Sequence, residues 1–149
     1  MSPSNSVRLS ERGIVLASLP DSEWELLFAV TSGEQWRALR VFSIEQILGM
    51  LQQWPCAVVV TAPVLSDGDW RDLLAAVSPL HLSPQIVVMD RNADDASWLD
   101  VLDAGGFDLL RPPVQERDLA HVLRLAESSW LASLADLGGG WRRRAAGDH

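Results

Sequence analysis

Short, almost wholly apolar runs alternate along the chain with longer stretches in which apolar residues recur at helical spacing. Ile14-Val15-Leu16-Ala17, Ala57-Val58-Val59-Val60, Ile86-Val87-Val88-Met89 and Phe107-Asp108-Leu109-Leu110 each have the length and bulk of strands buried on both faces. Ala38-Leu39-Arg40-Val41-Phe42 alternates instead, as a strand nearer a sheet edge does. Five strands are therefore expected.

The stretches between them carry helix start signals. Pro20-Asp21, followed by Glu23 and Glu25, places a proline and acids at a helix N-terminus, with Trp24, Leu27 and Phe28 on one face. Ser43-Ile44-Glu45-Gln46 is a capping box leading into Ile47, Leu48, Met50 and Leu51. Asp67 is read as the cap of a segment carrying Trp70, Leu73, Leu74 and Val77. Asn92 is read as the cap of the next, which carries Trp98, Val101 and Leu102 and stops at Gly105-Gly106. A last helix starts near Gln115 and turns Leu119, Val122 and Ala126 inward. Five strands alternating with five helices predict an α/β fold, a doubly wound five-stranded parallel sheet with right-handed crossovers.

Composition narrows the function classes. A chain of 149 residues suffices for one core, and 48% apolar with 21% charged residues is the balance of a globular domain. The formal charge of −8 argues against nucleic acid as a partner, because phosphate backbones are engaged through clustered cations. One cysteine, Cys56, excludes an intramolecular disulfide, and its setting before Ala57 and three valines makes it a buried, inert thiol. No stretch approaches the ~20 apolar residues of a membrane span, and the first residues lack the basic and apolar regions of a secretion signal. The expectation is a soluble, cytoplasmic protein that does not contact membrane.

Open α/β sheets place their sites outside the carboxyl ends of the strands, so the residues just after each apolar run are the ones to question. Three segments there resemble the receiver domains of bacterial response regulators, the modules of two-component signal transduction and phosphorelay. They are Ile14 to Pro20, shaped like the first strand and its loop; Val58 to Gly68, shaped like the third strand, its loop and the Asp-Gly that opens the third helix; and Gly105 to Pro113, shaped like the fifth strand and its Lys-Pro turn. The likeness covers about residues 12–130. It implies the (βα)5 flavodoxin-like fold with strand order 2-1-3-4-5. It also implies three regions: a flexible segment over 1–11, a receiver-like domain with an extended last helix over 12–135, and a flexible Gly/Arg-rich tail over 136–149.

Carried over residue by residue, the resemblance implies that the family's chemistry is missing. The acidic pair that holds Mg²⁺ falls at Ala17 and Ser18, which offer no carboxylate to a hard cation. The phosphoacceptor aspartate falls at Thr61, or at Val60 if the loop is counted differently, and the switch hydroxyl falls at Met89, beside Asp90. The lysine falls at Pro112, with Arg111 as the alternative, and the aromatic switch falls at Leu109. All twelve basic residues are arginine, and the chain has neither lysine nor tyrosine. No nucleophile and base can be paired, so no enzyme activity, metal site or cofactor is expected. His81 and His121 lack ligating neighbours, Asp67, Asp69 and Asp72 read as a cap and first-turn acids, and Asp94, Asp95, Asp100 and Asp103 read as an exposed face.

The expectation is thus a stand-alone pseudo-receiver that works through a protein partner of a signalling pathway. By family analogy its contact face is built by the fourth helix, fifth strand and last helix, with Leu99, Arg111, Arg117, His121 and Arg124 as candidates. Apolar Trp130, Leu131 and Leu134 continue the last helix and suggest docking or a homodimer through it. The alternative is a small-ligand or nucleotide sensor using the crevice at the strand ends, with Arg111 binding an anion. Of seven tryptophans, Trp24, Trp70, Trp98 and Trp130 are expected in the core, while Trp36, Trp54 and Trp141 are harder to bury. Trp141 with Arg142, Arg143 and Arg144 reads as a solubilising end, the alternative being a contact to anionic lipid, nucleic acid or an acidic partner surface.

Overall fold

The computed structural model describes residues 13–147. The segment 1–11 lies outside the described residues, as do the side chains of Trp141 and the three arginines after it. In chain order the elements are β1 (Gly13–Ser18), α1 (Asp21–Gly33), β2 (Trp36–Arg40), α2 (Ile44–Gln53), β3 (Val58–Thr61), β4 (Val64–Leu65), β5 (Gly68–Asp69), α3 (Trp70–Val77), β6 (Gln85–Met89), α4 (Asp95–Asp103), β7 (Asp108–Leu110) and α5 (Glu116–Gly147). The five long strands form one parallel sheet in the order β2-β1-β3-β6-β7, which is the expected 2-1-3-4-5 order of a flavodoxin-like receiver fold.

Two cores follow from this winding. On one face Leu27 and Val30 of α1 meet Leu119, Leu123 and Ala126 of α5 over Val15, Ala17, Val58, Val60 and Val87. On the other, Ile47 of α2, Leu73 and Leu74 of α3 and Val101 of α4 cover Leu16, Val59, Ile86 and Val88. Strand residues alternate between the two clusters, as a pleat buried on both faces requires. Each fully buried aliphatic side chain contributes roughly 1.5–3 kcal/mol.

The structure corrects several local readings. Residues 64–69 fold into a two-stranded antiparallel hairpin, β4 with β5, that the sequence reading lacked. A Cβ on Gly68 would lie 2.8 Å from Asp72 Oδ2 and 2.9 Å from Ile44 Cδ1, so a larger residue there would have to displace the ends of those two side chains. The hairpin moves the start of α3, which is capped by Asp69 in a reciprocal box with Asp72 rather than by Asp67. Likewise α4 is capped by Asp94, with Ser97, and not by Asn92. Gly105, at φ 101°, then ends α4 as expected of a left-handed C-terminal glycine. The edge strand β2 sits two residues earlier than its alternation suggested, and Trp36 at its start is buried. The Trp36 indole donates to Glu127 Oε2 at 2.9 Å, which satisfies the one polar group that made its burial improbable. Trp98 is 44% exposed where the core was expected, and Phe28 lies exposed beside Trp24. Trp70 is buried, Trp24 and Trp130 are half-buried, and Trp54 is exposed. The backbone of α5 stays helical to Gly147, through the glycines where the sequence reading placed a tail.

Candidate functional site at the carboxyl ends of the strands

Register places the last residues of the central strands side by side. Ser18 of β1 is level with Thr61 of β3, Thr61 with Val88 of β6, and Val88 with Leu109 of β7. One row back, Ala17 is level with Val60 and Val60 with Val87. Thus the sequence-derived positions Ala17, Ser18, Thr61 and Leu109 do converge at one end of the sheet, with Met89 one step further along β6 beside Leu110.

Their environment is dry. Ala17, Val60 and Thr61 have no accessible surface, and Ser18, Met89 and Pro112 are buried. The Ser18 carbonyl accepts from Ala62 N at 2.7 Å, and the Thr61 hydroxyl donates to the Ala62 carbonyl at 2.8 Å. Thr61 therefore spends its proton locally and has neither a base beside it nor a path to solvent. Among the described residues no cluster of three or more His, Cys, Asp or Glu side chains stands where it could hold a metal ion.

Charge at this end comes from elsewhere, and it is paired within the chain. Arg40, ending β2, donates to the Leu19 carbonyl at 3.0 Å and to Asp21 Oδ1 at 2.7 Å, while its guanidinium lies over the Trp24 and Phe42 rings. Arg91, just after β6, reaches Ser22 Oγ at 3.1 Å and the Glu23 carboxylate at 2.5 Å in the first turn of α1. Asp67 turns away from its own helix and accepts from Ile44 N at 2.7 Å and Glu45 N at 3.1 Å, so it caps α2. Those two amide bonds lower the Asp67 carboxyl below the ordinary aspartate value. Arg111 is exposed, and its guanidinium lies 3.4 Å from the Ala93 carbonyl.

Sequence reasoning missed Glu23 and Arg91. Glu23 was read only as an acid at a helix N-terminus, yet it is 5% exposed. A signal existed: Glu23 stands four residues before Leu27 and seven before Val30, on the stripe that α1 buries. Of the candidate contact residues, Leu99, Arg117 and His121 are exposed. Arg124 pairs with Glu34 at 2.7 Å, at the far end of α1, so it stands on the α1 side of α5 and not beside α4. Leu131 lines a cavity of about 290 Å³ with Gly13, Trp36 and Trp130 at the amino ends of the strands, and Leu134 is half-buried. A second cavity, of about 480 Å³, opens at the same end against Pro84, Gln85 and Gly105.

No family model matches the sequence, and no curated protein matches it. Solved structures do. A signal receiver domain from Vibrio parahaemolyticus superposes with a TM-score of 0.73 at 14% identity, covering 85% of this chain and 96% of that one. A two-component response regulator from Clostridium difficile gives 0.67 at 20% identity over 76% and 93%. A CheY-like response regulator receiver domain protein from Methanospirillum hungatei gives 0.70 at 14% identity over 83% and 99%. The chain shares the receiver fold. Among the described residues no helix is long and apolar enough to cross a membrane.

Proposed function

We propose that this chain is a pseudo-receiver, a cytoplasmic signalling module of the two-component type that acts through protein contacts without aspartyl phosphorylation and without enzymatic activity. The observation that carries this reading is the state of the acceptor position. Both candidates, Thr61 and Val60, are fully buried, neither is a carboxylate, and the residues level with them on β1 are Ser18 and Ala17. Acyl phosphate formation needs an exposed carboxylate and a cation to organise the incoming phosphoryl group; of the arginines at the strand ends, Arg40 and Arg91 are spent on Asp21 and Glu23.

The contact face is the one around the open edge of β7. Trp98 and Leu99 of α4 are 44% and 53% exposed, and Leu125 of α5 is 48% exposed. Trp98 leans over the edge strand, its indole donating to Asp108 Oδ1 at 3.1 Å. Exposed aromatic and aliphatic groups framed by Arg117 and His121 have the make-up of an interface centre with a polar rim. The alternative of a ligand sensor at the strand ends has less support, because the two cavities described above open at the opposite end of the sheet.

The test is direct. The protein is incubated with acetyl phosphate and Mg²⁺, and its intact mass is read. An unchanged mass is expected; a gain of one phosphoryl group, acid-stable or labile, overturns the reading.

A further inference from the structure

We infer that Glu23 and Arg91 form a built-in clasp across the carboxyl-end crevice, one that fixes the segment between β6 and α4 in a single position with no phosphoryl group present. α1 follows β1 and Arg91 follows β6, while β3 lies between those strands. Neighbouring strands are ~4.8 Å apart, so Arg91 reaches past the end of β3, across about 10 Å. It meets the Ser22 hydroxyl and the Glu23 carboxylate on the far side.

The two partners are unequal, and that gives the clasp its direction. The Glu23 side chain is 6% exposed and that of Arg91 62%. Glu23 Oε1 is buried and accepts no hydrogen bond, so the burial of this carboxylate depends on what Arg91 gives to Oε2. An uncompensated buried charge is strongly unfavourable, whereas a guanidinium released to solvent is not. Opening the clasp therefore penalises the α1 side, and the folded state holds Arg91 down.

Arg91 transmits that restraint. Asp90 N donates to the Leu110 carbonyl at 2.9 Å, Asn92 N to Asp90 Oδ1 at 2.9 Å and Ala93 N to the Asp90 carbonyl at 3.2 Å. Asp94 then caps α4. Only a tight, hydrogen-bonded turn separates the clasp from the helix that carries Trp98 and Leu99. That the clasp presets the contact face rests on the function proposed above; the clasp itself does not.

Hydrogen exchange of the full chain, followed by mass spectrometry, reads the clasp without any partner. In Arg91→Ala, peptides covering 90–103 are expected to exchange at least about tenfold faster, while those of β1, β3 and the first half of α5 keep their protection. Glu23→Gln, which keeps an acceptor but removes the charge, is expected to fall between that variant and the wild type. Unchanged exchange over 90–103, or an increase spread evenly over the sheet, overturns the proposal. Should Arg91→Ala not fold, Arg91→Lys keeps the charge but ends one bond short of Nη2, the nitrogen that bonds both Ser22 and Glu23. It is then expected to loosen 90–103 alone, and exchange identical to wild type overturns the proposal. Phosphoryl uptake in the mass assay would sink the functional reading while leaving this result standing.

Discussion

Returning a carboxylate to the acceptor position by Thr61→Asp is expected to destabilise the fold at neutral pH and to relieve that loss in acid. Thr61 has no accessible surface, ends β3, and is flanked by Ser18 and Val88. Its present partner is the Ala62 carbonyl, which can receive the threonine proton but gives nothing to a carboxylate. Arg91, which follows the neighbouring strand β6, is held by Glu23 and Ser22. Burial without a partner raises a carboxyl pKa by up to 3–5 units, and a rise of ~3 units corresponds to about 4 kcal/mol.

The sign follows from linkage. The folded pKa lies above the unfolded value of about 3.9, so the unfolded state releases its proton first. Stability is intact below about pH 4 and is lost as pH rises toward the folded value, near 7 for a three-unit shift. Thr61→Asn controls for shape and polarity. With a urea slope of ~2 kcal/mol per molar, the Asp variant should unfold about 2 M earlier than the Asn variant at pH 8, and the two should coincide near pH 4. Equal midpoints at pH 8 would refute the reasoning. They would mean that water or a free cation reaches the end of β3, as a ligand site there would require.

Two further outcomes are expected. Burial pushes the Cys56 thiol up to about 11, so in the native protein its alkylation at pH 8 should be at least roughly a hundredfold slower than in urea. Because the folded thiol pKa is the higher one, this group's contribution to stability is constant below about pH 8.5 and declines toward pH 11; rapid native labelling followed by mass spectrometry would contradict both. Trp36→Phe keeps a ring but removes the donor to Glu127, and should lower stability by about 1.5–3 kcal/mol, the range for a hydrogen bond to a charged acceptor. A loss under ~0.5 kcal/mol in urea denaturation would show the bond to be idle.

The fold was legible because its determinants are local. Val58, Val59 and Val60 form a run too short for a helix and too apolar for a surface, and Leu119, Val122 and Ala126 keep helical period. What the sequence concealed are pairings between distant residues. Trp36 is buried because Glu127, ninety-one residues on, receives its N–H. Asp67 had the spacing of a cap for α3, but the hairpin it belongs to carries it to the start of α2. Arg124 shares the exposed side of α5 with His121 by composition, and only Glu34 fixes which edge it serves. Glu23 broke the rule that charge stays outside, and its exception needed Arg91 from the other side of the sheet.

These pairings also bear on why a receiver-shaped sheet would do without phosphate. An anion seeking Arg91 or Arg40 in the crevice would have to displace Glu23 or Asp21. Tethered carboxylates compete at effective concentrations on the order of millimolar or above, so a free anion must bind considerably better than they do to gain a foothold. The Glu23 carboxylate, once displaced, would remain buried, which adds its desolvation to the cost. The same residues that make the strand ends a poor anion site hold the segment leading into α4. On the function proposed above, the Glu23–Arg91 pair would thus both oppose entry of an anion and hold the segment that leads to the contact face.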